Sequence, residues 1–251
     1  MKDYIATIVS NQPIAENIQA ITFDLGEEPT VRCGQFGNIA VGGTHLLRRP
    51  IAICKTEGSL VTFCYQIKGE GTQALAKMEA GAKLNVLMPI GNGFFVEEEE
   101  KKVALVGGGV GVFPLISVLR EYAGTKEISA YIGYRNKAAV CGVEEFAKAQ
   151  KFLLVTDDGS YGTQMNAVQA FAADLEKGNR PDVVLACGPT PMLRALKTLV
   201  EKENLPCYVS LEERMGCGIG ACLVCVCNLT NGQRARVCKD GPVFNAYDVV
   251  L

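Results

Sequence analysis

The sequence predicts a β plus α/β fold: an antiparallel barrel, a doubly wound parallel domain and a small C-terminal cysteine-rich module. Three observations carry this. Residues 1–96 read as short β-branched and aromatic runs broken by Gly and Pro. From Val103 onward, apolar strand runs alternate with stretches of helical periodicity. Near the C-terminus, Cys217, Cys222 and Cys225 form a Cys-x4-Cys-x2-Cys run, and Cys238 follows after twelve further residues.

In the first domain, 1–96, the clearest strands are Thr7-Ile8-Val9-Ser10, Ile18-Gln19-Ala20-Ile21-Thr22-Phe23 and Val61-Thr62-Phe63-Cys64-Tyr65. Several short strands with turn residues between them suggest a small antiparallel barrel. Arg48-Arg49-Pro50-Ile51-Ala52-Ile53 places two permanent cations in an apolar strand. The guanidinium fork suits phosphate, and an ion pair with a barrel carboxylate is the alternative. Lys68-Gly69-Glu70-Gly71-Thr72-Gln73 turns from a strand into a short helix, whose free N–H groups and Thr72 hydroxyl suit a second phosphate edge. An arginine strand and a glycine turn in one barrel suggest a dinucleotide such as FAD. His45, the only histidine, has no Ser or Cys partner suggesting hydrolysis and reads as structural or exposed.

The run Glu97-Glu98-Glu99-Glu100-Lys101-Lys102 reads as a solvated connection and opens the second domain, 97–205. Its strands are expected at Val103–Val106, Ile128–Ile132, Phe152–Val155 and Val183–Ala186, with helices from Pro114 to Tyr122 and Pro191 to Glu203. Gly107-Gly108-Gly109-Val110-Gly111 joins the first strand to the first helix, a natural seat for a pyrophosphate. The full G-x-G-x-x-G fingerprint is absent, because Val112 stands at its next position. Tight strand–helix packing is the competing reading of those glycines. Two more loops leave strand ends on the same carboxyl edge: Thr156-Asp157-Asp158-Gly159-Ser160 and Cys187-Gly188-Pro189-Thr190-Pro191. Either alone is a turn or a cap, but the three together favour a nucleotide site, with Asp158, Cys187, Gly188 and Pro189 as its further candidates.

The last stretch, 206–251, reads as loop-rich, folded around the four cysteines Cys217, Cys222, Cys225 and Cys238. Their spacing is that of plant-type 2Fe–2S ligation. Zinc also accepts four thiolates, but zinc ribbons usually pair two Cys-x2-Cys knuckles and only one is present. Glycines supply the positive φ and close approach that a cluster-wrapping loop needs. Six other cysteines (Cys33, Cys54, Cys64, Cys141, Cys187, Cys207) are scattered singly and read mostly as small buried hydrophobes, while Cys227 is a spare beside the loop.

Composition narrows the function class. The 251 residues are 48% hydrophobic and 21% charged, with a net charge of −2, which leaves no basic footprint for nucleic acid or an anionic membrane. No apolar run approaches a membrane span. The first residues, Met1-Lys2-Asp3-Tyr4-Ile5, alternate like a strand and do not resemble a signal peptide. Eleven cysteines without such a signal suggest a reducing, cytoplasmic setting.

Taken in order, the motifs resemble a known family. The Arg-Pro-Ile-Ala strand, the Gly-Glu-Gly-Thr turn and Gly91-Asn92-Gly93-Phe94 come first. The Gly-Gly-Gly-Val-Gly, Thr-Asp-Asp-Gly-Ser and Cys-Gly-Pro-Thr-Pro-Met loops follow, then Glu213-Arg214-Met215-Gly216-Cys217 and Val237-Cys238-Lys239-Asp240-Gly241-Pro242. Over nearly the whole chain this resembles the electron-transfer subunit of class B dihydroorotate dehydrogenase, within the ferredoxin reductase superfamily. The resemblance implies FAD in the barrel, NAD at the nucleotide domain and a 2Fe–2S cluster in the last module. By position it implies that Arg49, Pro50, Ile51 and Ala52 line the flavin, that Cys64, Tyr65 and Gln66 follow its ring and ribityl chain, and that Gly71 and Thr72 take the pyrophosphate. The family's usual Ser at the end of the arginine strand is here Ala52, so no hydroxyl reaches the flavin edge from that position.

The resemblance further implies a cytoplasmic role in pyrimidine biosynthesis. An FMN-containing dihydroorotate dehydrogenase partner, in a heterotetramer of two copies of each chain, would supply electrons that leave on NAD+. The alternative is an NAD(P)H-dependent flavin reductase subunit serving ferredoxin or a sulfur acceptor; a non-enzymatic redox sensor is a third. Arg135 and Lys137 suit a 2′-phosphate, with simple exposure as the alternative, whereas the resemblance favours NAD.

Overall fold

The computed structural model describes all of residues 1–251. Strands β1 (Lys2–Ala15), β2 (Ile18–Asp24), β3 (Phe36–Ala40), β4 (Arg49–Glu57), β5 (Leu60–Gln66) and β6 (Lys83–Ile90) close an antiparallel barrel in the order β1-β2-β5-β4-β3-β6. Period-two alternation decides which side chains fill it. Ile21 and Phe23 of β2, Ile51 and Ile53 of β4 and Val61 and Phe63 of β5 meet in one core. A short helix, α1 (Glu70–Ala76), follows β5.

The second unit is a seven-stranded sheet in the order β10-β9-β8-β7-β11-β12-β15, the last being Val243–Asn245. Its parallel part comprises β7 (Lys102–Gly108), β8 (Glu127–Tyr134), β9 (Lys151–Thr156), β10 (Thr163–Gln164), β11 (Val183–Cys187) and β12 (Cys207–Ser210). Helix α2 (Val112–Tyr122) covers one face, burying Phe113, Leu115 and Leu119 with Val103 and Leu105. Helices α4 (Ala167–Leu175) and α5 (Thr190–Glu203) cover the other, where Phe171, Leu193 and Leu196 meet Ala104 and Val106. Neighbouring residues of β7 thus serve opposite faces, and so the strand reads as an unbroken apolar run. A single-turn helix, α3 (Val143–Phe146), joins β8 to β9. The sheet order puts the topological switch point between β7 and β11, where ligands of open α/β sheets bind.

The C-terminal stretch departs from the loop-rich expectation at both ends. Cys207–Ser210 is strand β12, parallel to β11 with Val184 opposite Cys207. Strand β15 (Val243–Asn245) returns antiparallel to it, with Phe244 opposite Val209. The stretch expected to open the last module at 206 therefore begins inside the sheet. Between these strands, β13 (Val226–Asn228) and β14 (Arg234–Arg236) form a separate ribbon behind the cysteine loop.

Polar contacts lock the units together. Gly34 N–H donates to Ser117 Oγ (2.9 Å) and Cys33 N–H to Glu121 (3.1 Å), joining barrel to α2. Asn92 Nδ2 donates to Val243 O (2.7 Å), and Val243 N–H returns a bond to Asn92 Oδ1 (3.1 Å), which ties the end of the barrel to the last strand. No helix is long and apolar enough to cross a membrane.

Candidate functional site: a continuous cleft and a paired-thiol loop

A cleft of about 270 Å³ runs along β4 and β5. Arg49–Ala52, Cys64–Gln66 and Thr72 all line it, opposite Val110, Cys187 and Glu212. The two arginines divide the roles left open by the sequence. Arg48 pairs with Asp3 (3.4 Å), whereas Arg49 makes no ion pair and donates Nη1 to the Leu47 carbonyl. The Arg49 guanidinium lies over Gly71, where an added Cβ would fall 2.0 Å from its Nε. Only glycine lets the guanidinium pack this closely, and Gly71 itself, covered by Arg49, does not line the cleft. Thr72 differs from expectation. Its hydroxyl accepts from Lys68 N–H (2.9 Å) and Gly69 N–H (3.1 Å) and donates to Gly69 O, so it closes its own turn. The Cys64 thiol is kept protonated by its hydrogen bond with Cys54 and by burial. Ala52 offers the cleft a methyl group in place of a hydroxyl.

A larger cavity of about 780 Å³ opens at the switch point. Gly108, Gly109 and Gly111 line it from the β7 loop, and Gly188 and Pro189 from the β11 loop. An added Cβ on Gly111 would sit 2.5 Å from Cys187 O, so glycine is what lets the two loops touch. Gly107, expected among the seat residues, instead lies beneath the loop, where a Cβ would meet Leu115 Cδ1 at 2.9 Å. Its role is the close strand–helix packing that the sequence offered as the alternative. Asp158 is also absent from the lining. Its carboxylate accepts from Ser160 N–H (2.9 Å) and Ser160 Oγ (2.6 Å), which hold its pKa below the usual carboxylate range. Asp157 lines the cavity in its stead, as does Arg135, while Lys137 does not.

Gln66, Lys68, Val110 and Glu212 line both cavities, so the barrel cleft and the switch-point cavity are one continuous trough. Cys187 stands on the barrel side of the junction. Burial, reinforced by Glu212, raises its thiol pKa. The sequence reading missed Glu212, because no spacing or periodicity marks that position.

The four cysteines of the C-terminal loop come together as two pairs. Cys217 is in hydrogen-bonding contact with Cys222, and Cys225 with Cys238. Gly218 (φ 73°) and Gly220 (φ 82°) bend the loop so that its N–H groups turn inward. Cys217 Sγ accepts from Ile219, Ala221 and Cys222 at 3.3–3.4 Å, and Cys238 Sγ accepts from Gly220 at 3.1 Å. The Ile219 N–H, followed by the N–H and thiol of Cys222 and the Ala221 N–H, outweighs burial and pushes the Cys217 pKa down to about 6. Burial and the neighbouring Cys225 push Cys238 up to about 12. Arg236 braces the loop by donating to Gly220 O (3.2 Å) while its Nε and Nη2 engage Asp240 (2.9 Å each). A tetrahedral zinc site requires four ligands on one ion, whereas a binuclear cluster takes two thiolates per iron. The donor set fits a 2Fe–2S cluster.

Comparison with known proteins agrees with this geometry. The structure reported under "Insights into flavin-based electron bifurcation via the NADH-dependent reduced ferredoxin-NADP oxidoreductase structure" superposes with TM-score 0.85 at 27% identity, covering 98% of this chain and 90% of that one. The ferredoxin reductase of carbazole 1,9a-dioxygenase shares the fold (TM-score 0.72, 17% identity, 82% of this chain and 67% of that one). Barrel, switch-point sheet and trough thus define a ferredoxin-reductase-like oxidoreductase. Residues 212–250 match the "iron-sulfur cluster binding domain of dihydroorotate dehydrogenase B". The dihydroorotate dehydrogenase B (NAD(+)) electron transfer subunit of Geobacillus kaustophilus is 41% identical over 98% of this chain and 97% of its own length, and that of Enterococcus faecalis strain V583 is 38% identical over 100% and 99%. The chain belongs to this family of electron transfer subunits.

Proposed function

We propose that this chain relays electrons from a catalytic dihydroorotate dehydrogenase partner to NAD+. A 2Fe–2S cluster in the paired-thiol loop, FAD along β4 and β5 and NAD at the switch point are its carriers. One observation supports this arrangement above the others. Phe36 of β3 lines the barrel cleft and also packs in one buried cluster with Cys225 and Cys238, so the two carrier sites share a wall. When bound, a flavin exchanges hydride with nicotinamide and single electrons with an iron–sulfur cluster, which is the conversion this relay requires.

The chain's own residues position and tune. Arg49, free of any carboxylate, offers its fork to a pyrophosphate over Gly71. The close contact of Gly111 with Cys187 brings both switch-point loops to one ligand. Backbone N–H groups of Cys217, Ile219, Gly220 and Cys238 stabilise negative charge on the four sulfurs. Exposed Ile219, Leu223 and Val224 surround the exposed Cys222 and offer a partner an apolar face at the thiol edge. The reading extends to a partner that carries FMN, an assembly of two copies of each chain, a cytoplasmic location consistent with eleven unpaired cysteines, and a place in pyrimidine biosynthesis.

The test is a visible spectrum of the anaerobic complex with the dihydroorotate dehydrogenase subunit, before and after dihydroorotate. Bleaching of flavin and iron–sulfur bands, reversed by NAD+, is expected. Bleaching by NADH or NADPH alone would replace this reading with a ferredoxin-type reductase. Cys222→Ser is expected to abolish dihydroorotate-driven NAD+ reduction while NADH oxidation by artificial acceptors survives. Coupled turnover in that variant would refute the relay.

A further inference from the structure

Asn38 is the most anomalous polar residue in the molecule. It is 1% exposed, yet neither its Nδ2 nor its Oδ1 has a hydrogen-bond partner in the chain. Buried carboxamides are rarely left unpaired, because they forfeit both donor and acceptor bonds to water. Its place is fixed from both sides. On β3 it sits opposite Pro50 of the cleft-lining strand β4 and opposite Leu87 of β6. Its own carbonyl accepts from Arg48 Nη1 (3.2 Å), and Arg48 is anchored in turn on Asp3.

The side chain points at the cysteine loop. A Cβ added to Gly218 would lie 2.5 Å from Asn38 Nδ2 and 3.4 Å from its Cγ, so the amide end presses on the residue directly after Cys217. Flanking Phe36 and Ile90 pack with Cys225 and Cys238, which keeps water away. The carboxamide thus stands between the cleft wall and the sulfurs.

We propose that Asn38 is a positioning and tuning residue for the iron–sulfur site: its Nδ2–H donates to the sulfur shell at Cys217 when the loop holds its cluster. The inference rests on the 2Fe–2S reading of the four cysteines. The physical reason is charge. Reduction adds negative charge to the sulfurs, and an N–H donor in a dry, low-dielectric wall favours that state, which raises the potential. The loop's own N–H groups already act in this way. Asn38 adds a donor from the barrel and so links cluster tuning to the strand beside the flavin cleft.

The experiment uses the complete protein, grown with asparagine isotopically labelled only at the side-chain nitrogen. Pulsed electron paramagnetic resonance of the reduced cluster is expected to show coupling to that nitrogen, lost in Asn38→Leu and in the isosteric Asn38→Asp. Asn38→Leu with its cluster assembled is expected to titrate at a more negative midpoint potential, with unchanged FAD content. A cluster signal without labelled-nitrogen coupling in the native protein overturns the proposal, and so does an unaltered midpoint in Asn38→Leu. A residue that only filled space would affect cluster content and leave both readouts where they were. If Asn38→Leu fails to assemble, the labelled native protein and Asn38→Asp decide. Absence of any 2Fe–2S signal from native protein refutes the site reading as well, and is thereby distinguished from failure of Asn38 alone.

Discussion

Gly71→Ala separates binding from folding at the barrel cleft. The new Cβ would lie 2.0 Å from both Nε and Nη2 of Arg49 and 2.3 Å from Cζ. Ordinary contact begins near 3.5 Å, so the guanidinium must retreat by roughly 1.5 Å. The obstacle is the end of a flexible side chain, and Gly71 sits in α1 without a positive φ, so the backbone accepts alanine. Fold stability should then rise by about 0.4–1 kcal/mol through the unfolded chain, a gain of roughly 1–4 °C in the melting temperature of FAD-free protein. The ligand side moves the other way. A charge-assisted hydrogen bond contributes about 1.5–3 kcal/mol, so displacing Arg49 should weaken FAD binding by about ten- to a hundredfold. Titrating deflavinated protein with FAD, followed by flavin fluorescence, measures this. Arg49→Ala should cost a similar factor, and the double variant little more, because both changes remove one contact. An unchanged FAD affinity in Gly71→Ala, or strictly additive losses, would refute the assignment of the pyrophosphate to this cradle.

Three further outcomes are expected. Gly111→Ala must push backbone on backbone, with its Cβ 2.5 Å from Cys187 O, so it should destabilise the protein by about 1–3 kcal/mol and weaken NADH binding together, read by thermal melting and by KM. Asp157→Ser removes a carboxylate from the switch-point cavity that Arg135 also lines, and should raise kcat/KM for NADPH relative to NADH by at least about fivefold, the roughly 1 kcal/mol of a like-charge contact fully screened by water; an unchanged ratio would exclude Asp157 from 2′-phosphate discrimination. Burial opposes ionisation of Asp174, but hydrogen bonds from Lys151, Tyr131 and Asn179 prevail and hold its pKa below the usual range. Its stabilisation is therefore full above about pH 4, the unfolded value, and is lost as pH falls through the lower folded value. Asp174→Asn should cost about 2–4 kcal/mol at neutral pH and flatten the acid limb of the denaturation profile, while an unchanged limb would show that Asp174 does not drive it.

What was legible in the sequence depended on whether the chemistry is local. A cluster loop must bring ligands together within a few residues, so Cys217, Cys222 and Cys225 announce themselves by spacing. Strand β7 must be apolar on both faces, and Val103–Val106 shows it directly. Strands β12 and β15 were not readable, because four and three residues are too short for a period and their pairing joins positions more than thirty residues apart. Asp157 and Asp158 are chemically identical neighbours; only the turn closed by Ser160 decides which faces the cavity. Gly107 and Gly108 differ in the same way, one beneath the loop and one at its surface. Glu212 and Asn38 are a third kind of case. Each is an ordinary polar residue in sequence and acquires meaning only from what a distant segment sets against it: Gly218 against Asn38, the junction of two cavities against Glu212. Carriers can be named from motifs because their ligands are clustered along the chain. The residues that couple one carrier to the next lie where separate segments meet, and there the fold is the signal.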